Sequence, residues 1–161
     1  MREMKESETK APIIREMTPQ DVPAAALIER TVFSMPWKEA DFLEMIEADY
    51  AYYYVACTED SGTEKIVGII GLRDISGEGE ITNVAVEPEF RRRGIGRLML
   101  DKVLEEARQL GIRDITLEVR ESNAGAIKLY EKAGFVGEGV RPNFYEHPTE
   151  GALIMWKRDN F

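Results

Sequence analysis

Polar and apolar residues alternate or recur along this chain in a way that predicts a mixed sheet with helices on its faces. Ile13 and Ile14 lie within a short strand spanning 12–18, and Thr18-Pro19-Gln20-Asp21 follows with a cap residue and a proline suited to a first turn. Val22, Ala25, Ala26 and Ile28 then mark a helix, and a second is predicted over 38–48 after the Met35-Pro36-Trp37 break. Residues 50–58 are rich in aromatics and read as a strand, and Glu59-Asp60-Ser61-Gly62 turns the chain into a partner strand over 65–72. A third strand, 80–86, carries Ile81, Val84 and Val86, whose spacing breaks strict alternation and predicts a bulge.

The strongest helical period runs through Ile95, Met99, Val103, Ala107 and Leu110, closed by Gly111 as a left-handed cap. Next, 114–120 alternates Ile115, Leu117 and Val119 against Thr116, Glu118 and Arg120, and reads as a central strand. A helix carrying Ala126, Ile127, Tyr130 and Ala133 ends at Gly134, and two further strands are expected around a loop over 141–151. The fold class is α/β (α+β): one domain over 11–161, with helices on both faces of a mostly antiparallel, twisted sheet. The first ten residues hold six charges and no apolar run, so they read as a loose tail.

At 161 residues the chain is sized for one domain. Its charge of −9, from 30 acidic and 21 basic residues, argues against broad phosphate neutralisation and so against direct nucleic-acid binding. No apolar stretch is long enough to cross a bilayer, and a lone Cys57 suits a reducing compartment; the expected location is cytoplasmic, without a membrane partner. Cys57 reads as an inert core thiol, and His147, the single histidine, has no partner pattern for a metal or a triad. No metal is expected.

The candidate chemistry begins at Arg91 to Arg97, RRRGIGR. A glycine turn opening a helix leaves main-chain N–H groups unpaired, and the helix dipole adds positive character there. Gly94 and Gly96 allow close approach of an anion, and Arg92, Arg93 and Arg97 add charge. Taken alone, such an arginine run would more often be a solvated surface. Its position between a strand and the strongest helix of an acidic chain favours a pyrophosphate. Neither GxxxxGK nor GxGxxG is present, since Met99 stands where a third glycine would be.

Arg-x-x-Gly-x-Gly at 91–96, preceded by ITNVAVEPEF and followed by LEVRESNAGAIKLYEKAGF, resembles the coenzyme A motif of the GNAT acetyltransferase superfamily. With the MPW at 35–37 and RPNFY at 141–145, the chain is most similar to the RimI-type group, which acetylates the N-terminal alanine of a small-subunit ribosomal protein. The resemblance implies acetyl-CoA as co-substrate, contacted by Val84, Ala85, Val86, Arg92, Arg93, Gly94, Ile95, Gly96, Arg97 and Asn123. It implies Glu118 as general base and Tyr130 as general acid. It also sets Trp37, Arg141, Asn143 and Tyr145 beside an acceptor peptide, with Pro142 and Phe144 departing from the pattern. Direct attack by an amine is expected, leaving Cys57 a bystander.

Plainer roles exist for the same residues. Tyr130 continues an apolar stripe, Glu118 could face solvent, and Asn123 or Ser122 could cap a helix. An α-amino group near ~7.8 and a glutamate near ~4.3 differ enough that direct transfer costs roughly 5 kcal/mol, so Glu118 needs burial or an intervening water. Acetylation of lysine, of a small amine or of another protein N-terminus remains open, as does a non-catalytic acetyl-CoA-binding module.

Overall fold

A computed structural model of the chain describes residues 11–161, and the predicted tail at 1–10 lies outside them. The strands are β1 (Ile13–Glu16), β2 (Ala51–Asp60), β3 (Thr63–Ile75), β4 (Glu78–Val86), β5 (Ile115–Arg120), β6 (Val136–Tyr145) and β7 (Glu150–Lys157). They form one sheet in the order β1-β2-β3-β4-β5-β7-β6. Every pairing is antiparallel except β4 with β5. Helices α1 (Val22–Val32) and α2 (Glu39–Glu47) precede β2, α3 (Ile95–Gln109) links β4 to β5, and α4 (Ala124–Lys132) links β5 to β6. The element order and class match the sequence pattern.

Alternation decides which helix each strand meets. On β2, Tyr54 and Ala56 pack with Met99, Leu100 and Val103 of α3, whereas Tyr53, Val55 and Cys57 pack with Ala25 and Ala26 of α1 and Phe42 of α2. Each large aliphatic or aromatic side chain fully buried this way contributes roughly 1.5–3 kcal/mol. On β5, Ile115, Leu117 and Val119 face the α3 and α4 layer, so Thr116, Glu118 and Arg120 point to the α1 side, where they are half-buried. Cys57 is buried there as a free thiol, and burial pushes it up to about 11, which keeps it protonated. Among the described residues no helix is long and apolar enough to cross a membrane, and no three His, Cys, Asp or Glu are placed to hold a metal ion.

The expected loop over 141–151 is shorter than the sequence suggests. β6 continues to Tyr145, pairing Arg141 with Ala152 and Tyr145 with Glu150 across a register irregularity. Pro142 is tolerated because β6 is an edge strand, and Asn143 takes a left-handed φ of 55°.

Asp21 anchors the start of α1. Its carboxylate takes two bonds from Arg15, at 2.7 and 2.9 Å, and two from the amide and hydroxyl of Thr18, at 2.7 and 3.0 Å. Burial alone would raise this carboxyl, but the Arg15 and Thr18 donors together hold it below its usual value. A depressed carboxyl contributes its stability above the unfolded value of ~3.9 and loses it as pH falls through the folded value. Asp21→Asn is therefore expected to cost about 1–3 kcal/mol at pH 7 by urea denaturation, with the difference shrinking below pH ~3.9.

Candidate active site

The predicted bulge in β4 is present and changes which side chains face which layer. Asn83 and Val84 together oppose Ile70, because the register shifts between the Ile69 and Gly71 pairings. Asn83 sits at φ 56°, a left-handed conformation that asparagine tolerates better than most residues. The extra residue swaps the faces: Ile81, Val84 and Val86 pack toward α3, while Ala85 packs toward α1. Ahead of the bulge, β4 separates from β5. The two strands pair only at Gly79 with Ile115 and Glu80 with Thr116, although β4 runs on to Val86 and β5 to Arg120. The β5-facing edge of β4 from Ile81 onward is thus left open, and a wedge connects the two faces of the sheet.

At the end of β4, Pro88–Phe90 forms a 3-10 turn and Arg91–Gly94 leads into α3. Arg92 has φ 64° and Gly94, the N-cap of α3, has φ 81°. Among the described residues, no amide from Arg92 to Arg97 donates to a protein acceptor; the first helical bond runs from Leu98 N–H to the Gly94 carbonyl, at 3.1 Å. A Cβ at Gly96 would lie 3.3 Å from Leu129, so this glycine also lets α4 approach the first turn of α3. Three arginines are engaged within the chain: Arg91 donates to the Val86 carbonyl, Arg93 lies over the Phe90 ring and Arg97 pairs with Asp101. Unpaired amides at a helix start, two residues of positive φ and an open strand edge beside them fit a pyrophosphate with a peptide-like arm, which is the chemistry of coenzyme A.

Glu118 opens onto a hollow on the α1 side of the sheet. A cavity of about 520 Å3 is lined by Glu80, Glu118, Arg141, Phe144, Ile154 and Trp156. Arg141 reaches across from β6 and places Nη2 3.1 Å from Glu118 Oε2, and its guanidinium lies over the Phe144 ring. A slightly larger hollow of about 590 Å3, between α1 and β3, lies away from Glu118 and Tyr130.

Tyr130 lies in the α3 and α4 layer, on the opposite face from Glu118, packed against Phe135 with ring centroids 6.0 Å apart. Among the described residues its hydroxyl has no hydrogen-bond partner, although its side chain is buried. Burial, reinforced by the nearby Tyr145 hydroxyl, pushes the Tyr130 hydroxyl far above its ordinary range. Tyr145 lies near both Tyr130 and Glu118. Burial and the Glu118 carboxylate push its own hydroxyl up to about 12.

The remaining sequence-derived residues are placed less centrally. Asn123 is exposed and caps α4, its Oδ1 accepting from the Ala126 amide at 3.2 Å. Trp37 is half-buried and stacks with Phe42 and Tyr53, at 5.3 and 5.9 Å between ring centroids, outside the Glu118 cavity. Asn143 is exposed on β6.

Sequence reasoning overlooked Arg120. Its guanidinium donates to the Pro148 and Glu146 carbonyls, each at 2.9 Å, to Glu150 at 3.2 Å and to the Ser34 hydroxyl at 3.2 Å, and it covers the Tyr145 ring at 4.6 Å. One side chain therefore ties the α1–α2 connection to the β6–β7 turn and holds Tyr145. The signal was available, since the alternation of β5 puts Arg120 on the same face as Glu118. Glu29 was overlooked too; with Val22, Ala25 and Ala26 it occupies the buried stripe of α1, where an acid is out of place.

Comparison with known proteins agrees with the fold. The model of the acetyltransferase (GNAT) family matches residues 22–135. A ribosomal protein bS18-alanine N-acetyltransferase from Salmonella typhimurium is 36% identical over 139 residues, covering 84% of this chain and 89% of the relative. Among solved structures, a ribosomal-protein-alanine N-acetyltransferase from Escherichia coli superposes with a TM-score of 0.82 at 30% identity, over 94% of this chain and 96% of the other. Ard1 from Thermoplasma volcanium gives 0.81 at 30% identity, over 93% and 99%. With its split β4–β5 pair, its glycine-opened α3 and a family match across most of its length, the chain belongs to the GNAT acetyltransferase family.

Proposed function

We propose that this enzyme moves an acetyl group from acetyl-CoA to the N-terminal amine of a protein, an N-terminal alanine on a small-subunit ribosomal protein. The observation that carries the acceptor is the near full-length similarity to enzymes named for that acceptor. The opening between β4 and β5 fits a reaction with two reactants and is silent on which amine is the acceptor. The domain is taken to span 11–161.

Acetyl-CoA supplies an acyl carbon activated as a thioester, with a thiolate as leaving group. The chain does the rest. The amides of Arg92 to Arg97 bind the pyrophosphate, and the open edge at Val84, Ala85 and Val86 orients the pantetheine arm, with a backbone N–H near Val84 positioned for the carbonyl oxygen. Asn123 contributes from the start of α4 beyond its capping bond.

On the α1 side, Glu118 accepts the proton that the acceptor ammonium must lose before it can attack. Arg141 holds that carboxylate at rest, so the incoming amine and the guanidinium compete for it. Tyr145 and Asn143 border the peptide from β6, and Trp37 does so from the α1–α2 connection. Tyr130 acts from the other face. Since burial disfavours loss of its proton, it serves as a hydrogen-bond donor to the departing sulfur more than as a full acid.

Tyr130→Phe is expected to lower kcat about tenfold to a hundredfold while the coenzyme A dissociation constant changes less than threefold, read by steady-state kinetics and calorimetry. Normal turnover by this variant would remove Tyr130 from the chemistry.

A further inference from the structure

Helix α1 buries a carboxylate that the steps above do not use. Glu29 is 3% exposed, and its Oε1 accepts from the Trp37 amide at 3.3 Å. Asn83 Nδ2 donates to both of its oxygens, at 3.2 and 3.3 Å. The same Asn83 is held from its other end, where Oδ1 accepts from the Tyr53 hydroxyl and the Thr82 hydroxyl, each at 2.9 Å. Tyr53 is itself fixed, because its ring lies over Gly71, where any Cβ would collide with it, packs against Trp37 and meets Phe42 edge-on.

Stability gives little reason for this arrangement. Taking a carboxylate out of water costs several kcal/mol, and apolar replacement of buried charge is often neutral or stabilising. The cost shows in Glu29 itself, whose carboxyl is raised by burial, with Asn83 and the Trp37 amide only partly offsetting that. What distinguishes Glu29 is the pair of elements it joins. Asn83 is the left-handed residue of the β4 bulge, immediately before Val84, and Trp37 lies in the connection between α1 and α2. The first lies on the open edge of the wedge, and the second lies on the segment proposed above to border the peptide.

We propose that Glu29 is a positioning residue for acetyl transfer: acting through Asn83, it fixes the direction of the Val84–Val86 edge relative to the acceptor-side wall. The inference rests on the acetyl-transfer reading above. Glu29 touches neither reactant. Its carboxylate holds the Asn83 amide in one orientation, and that amide holds the bulge.

The test is a double-mutant cycle in the full chain with Glu29→Gln and Asn83→Gly. Glutamine keeps the volume but turns an NH2 toward the NH2 of Asn83; glycine adopts the same φ freely and removes the whole side-chain amide, with its bonds to Glu29, Tyr53 and Thr82. Three readouts are taken: amide hydrogen exchange across 83–86, the acetyl-CoA dissociation constant by calorimetry, and kcat with KM for an alanine-terminated peptide.

Each single variant is expected to speed exchange at 84–86 at least tenfold, weaken acetyl-CoA about threefold to tenfold, and lower kcat at least tenfold with peptide KM within threefold. The double variant should fall no further than the worse single. Unchanged exchange and coenzyme affinity in both singles would overturn the proposal, as would effects that multiply in the double. If one variant does not fold, the other decides by the same three readouts. A wild-type protein that binds acetyl-CoA but acetylates no peptide would sink the transfer reading alone, and exchange and affinity would still decide the role of Glu29.

Discussion

Replacing Glu118 by glutamine lowers kcat by about 10²–10³ and leaves the coenzyme A dissociation constant within about twofold. Glutamine has the shape of glutamate, so the cavity between β5 and β6 keeps its volume, but the proton acceptor is gone. Positioned general bases contribute typically 10²–10⁴ in rate, equivalent to about 3–5 kcal/mol of transition-state stabilisation. The substitution also frees Arg141, whose side chain is 58% exposed, so the orphaned cation stays hydrated and its release costs little. The residual activity has a signature of its own. Only neutral amine can attack, and the variant must rely on amine that has already lost its proton to water. Its kcat/KM should therefore climb with pH toward the amine value of ~7.8. Steady-state kinetics with acetyl-CoA and an alanine-terminated peptide, at pH values from about 6 to 9, checks both statements. Loss of coenzyme affinity at unchanged kcat would make Glu118 structural.

Gly96→Pro weakens coenzyme A binding by about a hundredfold or more, whereas Arg92→Ala weakens it only about threefold to tenfold. The contrast follows from which groups are preorganised. The amides of 92–97 are fixed by the turn and by α3, and among the described residues they have no other acceptor. Proline at 96 removes one of them, adds ring atoms where Leu129 already lies 3.3 Å from a notional Cβ, and disfavours the helical conformation of Ile95. The helix itself survives, because a proline in the first turn removes no intrahelical bond. Arg92, by contrast, is an exposed, flexible cation whose attraction to a phosphate is screened by water and salt. Calorimetry with coenzyme A, beside thermal denaturation to show that both variants fold, measures the difference.

Much of this was readable in the letters, for physical reasons that differ by element. The period of α3 and the alternation of β5 are set by burial of one face, which is the strongest local signal. The β4 bulge was readable because Ile81, Val84 and Val86 cannot all face one side without it. The outer half of β6 was not. Arg141 to Tyr145 holds a proline and a left-handed Asn143, which look like a loop in isolation and lie in a strand only because β7 pairs with Arg141 and Tyr145 on either side of them. That Glu118 and Tyr130 lie on opposite faces was hidden too, since the wedge depends on where β4 and β5 stop pairing, and no local pattern encodes that. Glu29 escaped notice because an acid on a helix is taken as solvent-facing unless its neighbours in the stripe are followed through.

The central claim is the acceptor, and one measurement addresses it. The purified protein is incubated with acetyl-CoA and a panel of peptides that present either a free N-terminus or lysine behind a blocked N-terminus, and the acetyl group is located by mass spectrometry. Acetyl on the N-terminal amine of alanine-terminated peptides, with blocked lysine peptides unmodified, is the predicted result. Acetyl on lysine side chains, with N-termini left free, would contradict it.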